Sequence, residues 1–518
     1  MSDNKHFDAL VAKGAPVGEV VGVDKFLVRV KGLQPVTVHS LVMFEDGSKG
    51  FTHHIMPDHV VILHQGATPV RVGTMVAVQH NELVSKVGKD FVGRVISVNG
   101  DPIDGQGPVS AESVWPVFNS APMLYERELL NKQLVTGVTV IDEMFPIVRG
   151  QRMALIGDSK SGKSTLATQV ALSQKDSDVV VIYVLIAKRR SDIDALLNRL
   201  METGAMKKAI VVVSTMFESL VSSYLAPYIG AAMGEYLWQK LGQDTVIIYD
   251  DLTSHAQIYR EISLLSQVSP GRESFPGDMF YAHSSLLERA GKLNRNHATM
   301  TSIPIVLANS GDITAYMPTN IMSITDGQWI LDMNVFRDTM RPAIQTGLSV
   351  TRVGGVGQND RQHKLAAQVT KTLNGYNEAQ QYAHFGSELT PEAKKDLDRG
   401  KQLYEMFTQS PSDTFNVTEQ CLMLDIILNL ADGLILDVQK LKAEVREAAA
   451  KIKEDKDFDK AIPELTKKCT SAAKDAAPEK PAEGQTPSTP ATPPPEAPAD
   501  DKPKDDDKAK DKAKEPAK

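Results

Sequence analysis

The chain has 518 residues, 42% hydrophobic and 24% charged, with a formal net charge of −8. That length exceeds one ordinary core and calls for roughly two to four domains of a globular protein, and the acidic balance argues against nucleic acid as the main partner, whose binders usually present a basic face. The two cysteines, Cys421 and Cys469, are too far apart and too isolated for a disulfide framework or a zinc site, and no run of about 18 apolar residues is available to span a bilayer.

Residues 1–16, MSDNKHFDALVAKGAP, carry neither a charged start before an apolar core nor an Arg-rich amphipathic pattern, so no secretory signal or transit peptide is expected. They offer a couple of helical turns, too few to hold alone. Over residues 17–83 the runs GEVVGVDKFLVRVKGL, SLVMFEDGSKGF and HVVILHQG alternate short β-branched stretches with turn residues, which predicts a small all-β barrel. Its few aromatics (Phe26, Phe44, Phe51) and lack of a dense basic run do not suit a barrel that stacks single-stranded nucleic acid. FVGRVISVNGDPIDGQGP, Phe91 to Pro108, adds two Gly/Pro turns and is expected to close that region.

Residues 84–358 form the next expected unit. Within it RMALIG, VVVIYVLIA, AIVVVST and TVIIYDD are apolar on both faces and alternate with helix-like stretches, the pattern of a parallel sheet covered by helices. Residues 359–472 have few strand signals, and LTPEAKKDLDRGKQLYEMF and LILDVQKLKAEVREAAAKIKE predict helices. Residues 473–518, rich in Pro, Ala, Lys and Asp, contain no aromatic or large aliphatic side chain; they cannot offset their ordering entropy and are expected to be a disordered tail.

GDSKSGKS, Gly157 to Ser164, matches the P-loop pattern in full, after a strand-like run and before the helix-like TLATQVALSQ. In such a loop the backbone N–H groups of Gly157, Asp158, Ser159, Lys160, Ser161 and Gly162 curl around phosphate oxygens. The helix that starts at Lys163, Ser164 and Thr165 presents its positive end. Lys163 is expected to neutralise the β- and γ-phosphates of ATP or ADP, and the Ser164 hydroxyl to sit on Mg2+. After the strand VIIYDD, Asp250 is read as holding a water on Mg2+, and Asp251 as capping the next helix.

YDDLTSHAQIYREISLLSQVSPGRESFPGDMFYAHSSLLERAGKLN (249–294), MPTNIMSITDGQWIL (317–331) and RPAIQTGLSVTRVGGVGQ (341–358) closely resemble the matching stretches of F-type ATP synthase alpha subunits. GRVISVNGDPIDGQGP and TGVTVIDEMFPIVRGQR fit the same family in the same order, so the resemblance spans about Val17 to Leu436. It implies an N-terminal β-barrel, a central α/β RecA-like nucleotide-binding domain and a helical C-terminal domain. It also implies a ring in which this chain alternates with beta subunits around a gamma shaft, with delta and the peripheral stalk attached. The ring would sit at the cytoplasmic face of the cell membrane, reaching the membrane only through the complex and coupling ATP synthesis or hydrolysis to ion transport. The alpha-type Mg-nucleotide normally does not turn over. By motif match Arg352, in SVTRVGG, is the arginine finger supplied in trans to the beta site, and Ser349 is a required position of the same interface loop.

Departures from the family pattern carry expectations of their own. A hydrolysing site needs a carboxylate to orient water at the end of the strand VVVIYVLIA. Beta-type subunits have Glu there and alpha-type subunits usually Gln, whereas this chain has Lys188, which lacks a base's free lone pair while charged. Lys188 either faces the phosphate or points to solvent with Arg189 and Arg190. The loop interior Ser159-Lys160-Ser161 replaces Arg-Gln-Thr, and Leu307-Ala308-Asn309 replaces Glu-Thr-Gln. Of two glutamines that line the family's adenine pocket, one is matched by Gln409 and the other is Pro411. The family's N-terminal stalk-docking helix is nearly absent, so an altered stalk attachment is expected. Two alternatives stay open: a self-sufficient hexameric export-type ATPase, which needs a carboxylate at 188, and an ATP-synthase-derived ring recruited to another motor.

Overall fold

The β-branched runs after Pro16 close into a six-stranded antiparallel barrel in the computed structural model, which describes residues 3–66, 69–338, 340–384, 390–431 and 434–472. Strands β1 (Val17–Asp24), β2 (Leu27–Lys31), β3 (Leu41–Phe44), β4 (Lys49–Ile55), β5 (Val60–His64) and β6 (Met75–His80) pair in the order β1-β2-β5-β4-β3-β6, and β6 returns to β1. Alternate side chains point inward, so Val20, Val28, Val30, Val42, Phe44, Ile62 and Val76 fill the interior. The first turns are a helix, Asp3–Ala12, held by Phe7 against Met43 and Ala77 of the barrel wall, which supplies the packing that a short helix lacks alone.

The segment expected to close the barrel goes elsewhere. A ribbon of β7 (Val84–Val87) and β9 (Ser113–Pro116) follows, and Val95–Ser97 (β8) is the edge strand of the central sheet, parallel to β12 (Ala209–Thr215). That sheet runs β17-β16-β10-β15-β13-β11-β12-β8, with β10 Ala154–Gly157, β11 Val180–Lys188, β13 Thr245–Asp250, β15 Thr299–Leu307, β16 Gly327–Leu331 and β17 Val350–Thr351; β14 (Gly291–Lys292) pairs alongside β15. All pairs from β16 to β8 are parallel, and both faces are buried. Val181, Tyr183 and Leu185 pack on one face with the helix Lys163–Ser173 and the C-terminal helices, while Ile182, Val184 and Ile186 pack on the other with the helix Leu220–Gln239. This two-sided burial explains the unbroken apolar runs.

Among the described residues the C-terminal part holds five α-helices, Asp360–His384, Pro391–Phe407, Val417–Leu428, Val438–Ala449 and Phe458–Cys469. Here the second predicted helix starts later than its sequence suggested. Leu434–Leu436 is a short strand against Thr470–Ala472, and the Asp437 side chain then accepts from Lys440 N to cap the helix. Cys421 and Cys469 are buried free thiols. The expected disordered tail lies outside the described residues. No helix among the described residues is long and apolar enough to cross a membrane.

Candidate functional site

Parallel strands place their carboxyl ends on one edge of the sheet, and the crevice beyond that edge is where such folds take ligands. Here β10 ends at Gly157, β11 at Lys188 and β13 at Asp250, so the P-loop and both residues after it share that edge. The loop folds tightly. A Cβ on Gly157 would stand 2.8 Å from Leu331 O and from Ser161 Oγ, and Gly162 has φ +97°, a conformation that suits glycine just before the helix Lys163–Ser173. Ser159, Lys160, Ser164 and Thr165 are exposed to the crevice side of this turn, whereas Ser161 is buried with its hydroxyl unpartnered.

The crevice is a cavity of about 490 Å3 lined by Lys160, Lys163, Ser164, Lys188, Asp250 and Asp251 among others, with Ile305 and Leu307 as part of its apolar wall. Lys163 Nζ donates to the loop's own carbonyls, Gly157 O at 2.9 Å and Asp158 O at 2.6 Å. Burial lowers its pKa to about 8 against the partial support of Asp251 and Asp250. An ammonium held this way gains from any anion that enters.

Lys188 does not point to solvent. Its side chain is 18% exposed; Nζ lies 2.6 Å from Asp250 Oδ1 in an ion-pair contact and donates to Asp251 Oδ2 at 2.9 Å. Burial alone would lower its pKa, but the two carboxylates outweigh burial and keep it well above the usual lysine range. Asp250 Oδ2 accepts from Tyr183 OH at 3.1 Å, and Asp251 Oδ1 accepts from Ser254 N at 2.7 Å, which makes Asp251 the cap of the helix Leu252–Leu265. Tyr183 escaped the sequence reading; its only signal was a hydroxyl inside an otherwise aliphatic strand.

The expected Mg2+ can be tested against this chemistry. The exposed Ser164 hydroxyl at the helix start fits one ligand position. The Asp250 limb does not fit as read, because Oδ2 accepts from Tyr183 OH and Oδ1, though without a hydrogen bond, lies 2.6 Å from the Lys188 ammonium that already balances its charge. The water-holding role therefore meets an occupied carboxylate, and no step is derived through the metal.

Three expected residues, Arg352, Ser349 and Gln409, stand outside this cavity. Arg352 is exposed, its Nη1 donating to Thr325 O at 3.1 Å and its backbone N to Asp326 O at 2.9 Å. Ser349 is buried and its Oγ accepts from Ile330 N at 3.0 Å, which fixes the start of the segment that carries Arg352. Gln409 is not brought to the phosphate cavity either. Its Oε1 accepts from Thr139 N at 2.7 Å, and its Nε2 donates to Gly137 O at 3.0 Å and Asp413 O at 2.9 Å. Its amide is thus committed to backbone and pins the helical part to the 137–139 turn.

The chain matches the ATP synthase alpha/beta family, nucleotide-binding domain, over residues 137–351, and the ATP synthase alpha/beta chain, C terminal domain, over residues 358–475. A Nitrosomonas europaea protein named ATP synthase subunit alpha is 39% identical over 448 residues, 84% of this chain and 86% of the relative. The Aquifex aeolicus protein of the same name is 40% identical over 416 residues, 80% and 82% of the two chains. Its namesake from Clostridium botulinum is 38% identical over 435 residues, 83% and 86%.

Proposed function

The chain belongs to the ATP synthase alpha/beta family, and on that premise we propose that it is the alpha-type subunit of an F-type ATP synthase head, holding ATP or ADP without efficiently hydrolysing it. The observation that carries this reading is Lys188. It stands at the strand end where a hydrolysing site needs a carboxylate, and its ammonium is locked onto Asp250 and Asp251. A charged ammonium cannot take a proton from water, so the site can grip phosphates through Lys163 and the loop N–H groups but has no base in that place.

In this reading the chain contributes to turnover next door. Arg352 is exposed and outside its own phosphate cavity, as a guanidinium offered to a neighbouring subunit must be, and Ser349 anchors the segment that presents it. The receiving site belongs to a beta subunit, the ring surrounds a gamma shaft, and the membrane and the transported ion are reached only through the rest of the complex. Ser164 is the residue that would offer a hydroxyl to the Mg2+ of a bound nucleotide, and that metal would supply charge neutralisation there. The proposal is tested by assaying the purified chain alone and with beta and gamma partners. Nucleotide binding without turnover alone, and turnover on reconstitution, is expected. Steady hydrolysis by the chain alone would refute it and favour a self-sufficient ring.

A further inference from the structure

Four carboxylate oxygens stand at the ends of β13 and the helix after it; three accept a hydrogen bond within the chain, and the fourth, Asp250 Oδ1, is buried without one and is held by its ion pair with Lys188. Asp250 Oδ1 faces Lys188 Nζ at 2.6 Å, Asp250 Oδ2 accepts from Tyr183 OH at 3.1 Å, Asp251 Oδ1 accepts from Ser254 N at 2.7 Å, and Asp251 Oδ2 accepts from Lys188 Nζ at 2.9 Å. Mg2+ keeps several of its waters, and these need acceptors around them. A water here would have to donate to an oxygen already in contact with the Lys188 ammonium or already accepting from Tyr183 OH or Ser254 N, and the ion would bring two positive charges beside a third.

The backbone keeps Lys188 in that place. Ala187 adopts φ +50°, in the left-handed region that residues with a Cβ seldom occupy, and the β11–β12 register breaks between Leu185 and Lys188. The two irregularities adjoin the residue that turns into the cavity, and its side chain is largely buried there. An ammonium has three N–H donors; one is given to Asp251 Oδ2 while Asp250 Oδ1 is held by charge alone, which leaves donor capacity for a phosphate oxygen.

We propose that Lys188 performs, from within the chain, the electrostatic role that a divalent cation would play against Asp250 and Asp251, so that this site holds a nucleoside triphosphate with little dependence on Mg2+. The inference rests on the nucleotide-site reading above and specifies its metal requirement. The pair of carboxylates with Lys188 carries one net negative charge, so a divalent ion overshoots neutrality at this corner. With a neutral residue at 188 the same corner carries two negative charges, and the ion becomes the natural partner.

Calorimetric titration of the full-length chain with ATP, once in EDTA and once in millimolar Mg2+, tests this. In the wild type the dissociation constant is expected to change by less than about threefold on metal removal. In Lys188→Gln, and in Lys188→Met as a variant of similar length, metal removal is expected to weaken binding by about tenfold or more. Thermal melting of each variant reports whether it folds, and the wild-type pair of titrations decides the matter even if neither does. A wild-type loss of about tenfold or more in EDTA overturns the inference and leaves the nucleotide site standing. Absence of ATP binding in both buffers removes the nucleotide site itself, and the inference with it.

Discussion

Arg289 holds Glu235 through two parallel bonds, Nε to Oε1 and Nη2 to Oε2, both 2.7 Å, with the side chains 1% and 0% exposed. Its Nη1 also donates to Val117 O at 2.9 Å, while Trp115 Nε1 and Asn119 Nδ2 donate to Glu235 Oε2. The pair therefore ties the connection after β9 to the helix Leu220–Gln239, on the sheet face opposite the C-terminal helices. Removing one member strands a buried charge, so Glu235→Ala is expected to cost about 3–5 kcal/mol in urea denaturation. Replacing both, as Glu235→Leu with Arg289→Met, is expected to cost much less. Equal losses in the single and double variants would show that packing, not the uncompensated guanidinium, sets the cost.

Lys163→Ala removes the point charge beneath the phosphates and is expected to lower ATP affinity by about 100-fold or more, read by fluorescence titration. The same lysine predicts a pH dependence. Burial holds its pKa at about 8 in the free chain, and bound phosphates raise it. A group whose pKa rises on binding contributes fully below its free value and loses that contribution as pH climbs toward the bound value. Affinity is expected to be flat below about pH 7 and to fall by up to about tenfold per unit above pH 8. Lys163→Ala is expected to abolish that slope; a slope that survives the substitution belongs to another group.

Arg352→Ala is expected to leave nucleotide affinity of this chain within about twofold and to slow the reconstituted complex by about 10³ or more. Arg352→Lys is expected to recover little, since an ammonium does not reproduce the planar fork of a guanidinium. Turnover of the mixed ring, measured beside binding to the isolated chain, separates the two effects. A loss of less than about tenfold in turnover would remove the in-trans assignment.

Much of the fold could be read ahead of the structure, because two-sided burial leaves plain apolar runs and the barrel leaves short alternating ones. Central strand β15 was not, since TMTSIPIVL carries Thr, Ser and Pro304, which usually argue against a central strand. Those groups are satisfied by tertiary partners that no local pattern reveals; Thr301 Oγ1, for example, accepts from Gly150 N at 2.8 Å. Val95–Ser97 was hidden for a similar reason, as three residues between turns do not say which sheet they join. At the site, the P-loop was visible as a motif, but the direction of Lys188 depends on the backbone at Ala187, where an alanine gives no warning of φ +50°. Gln409 illustrates the converse. Its position was visible, and its commitment to Thr139 N and Gly137 O was not.

Glu143 predicts the pH profile of stability. Its neighbour Asp142 is fully buried yet well served, with Oδ1 accepting from Thr136 N and Oγ1 at 2.8 Å each, and Oδ2 from Gly137 N at 2.9 Å and Gln420 Nε2 at 2.8 Å. Glu143 has only a 3.4 Å bond from Gln362 to Oε1 and a contact with Cys421 Sγ at 4.0 Å, and its Oε2 is unpartnered. Burial first, and the charge of Asp142 second, push Glu143 up to about 8; burial also lifts Asp142 to about 6 against its hydrogen bonds. A carboxyl whose folded pKa exceeds its unfolded value binds protons more tightly when folded, so stability is greatest below the unfolded value and declines as pH rises to the folded one. For Glu143 that window runs from about pH 4.5 to about pH 8, with no further loss from this group above it. Glu143→Gln copies the neutral form, and is expected to remove this part of the slope and to stabilise the chain by about 2 kcal/mol at pH 8.5. Denaturation at pH 5.5, 7 and 8.5 for both proteins checks it; parallel profiles would mean that water or rearrangement already solvates the carboxylate.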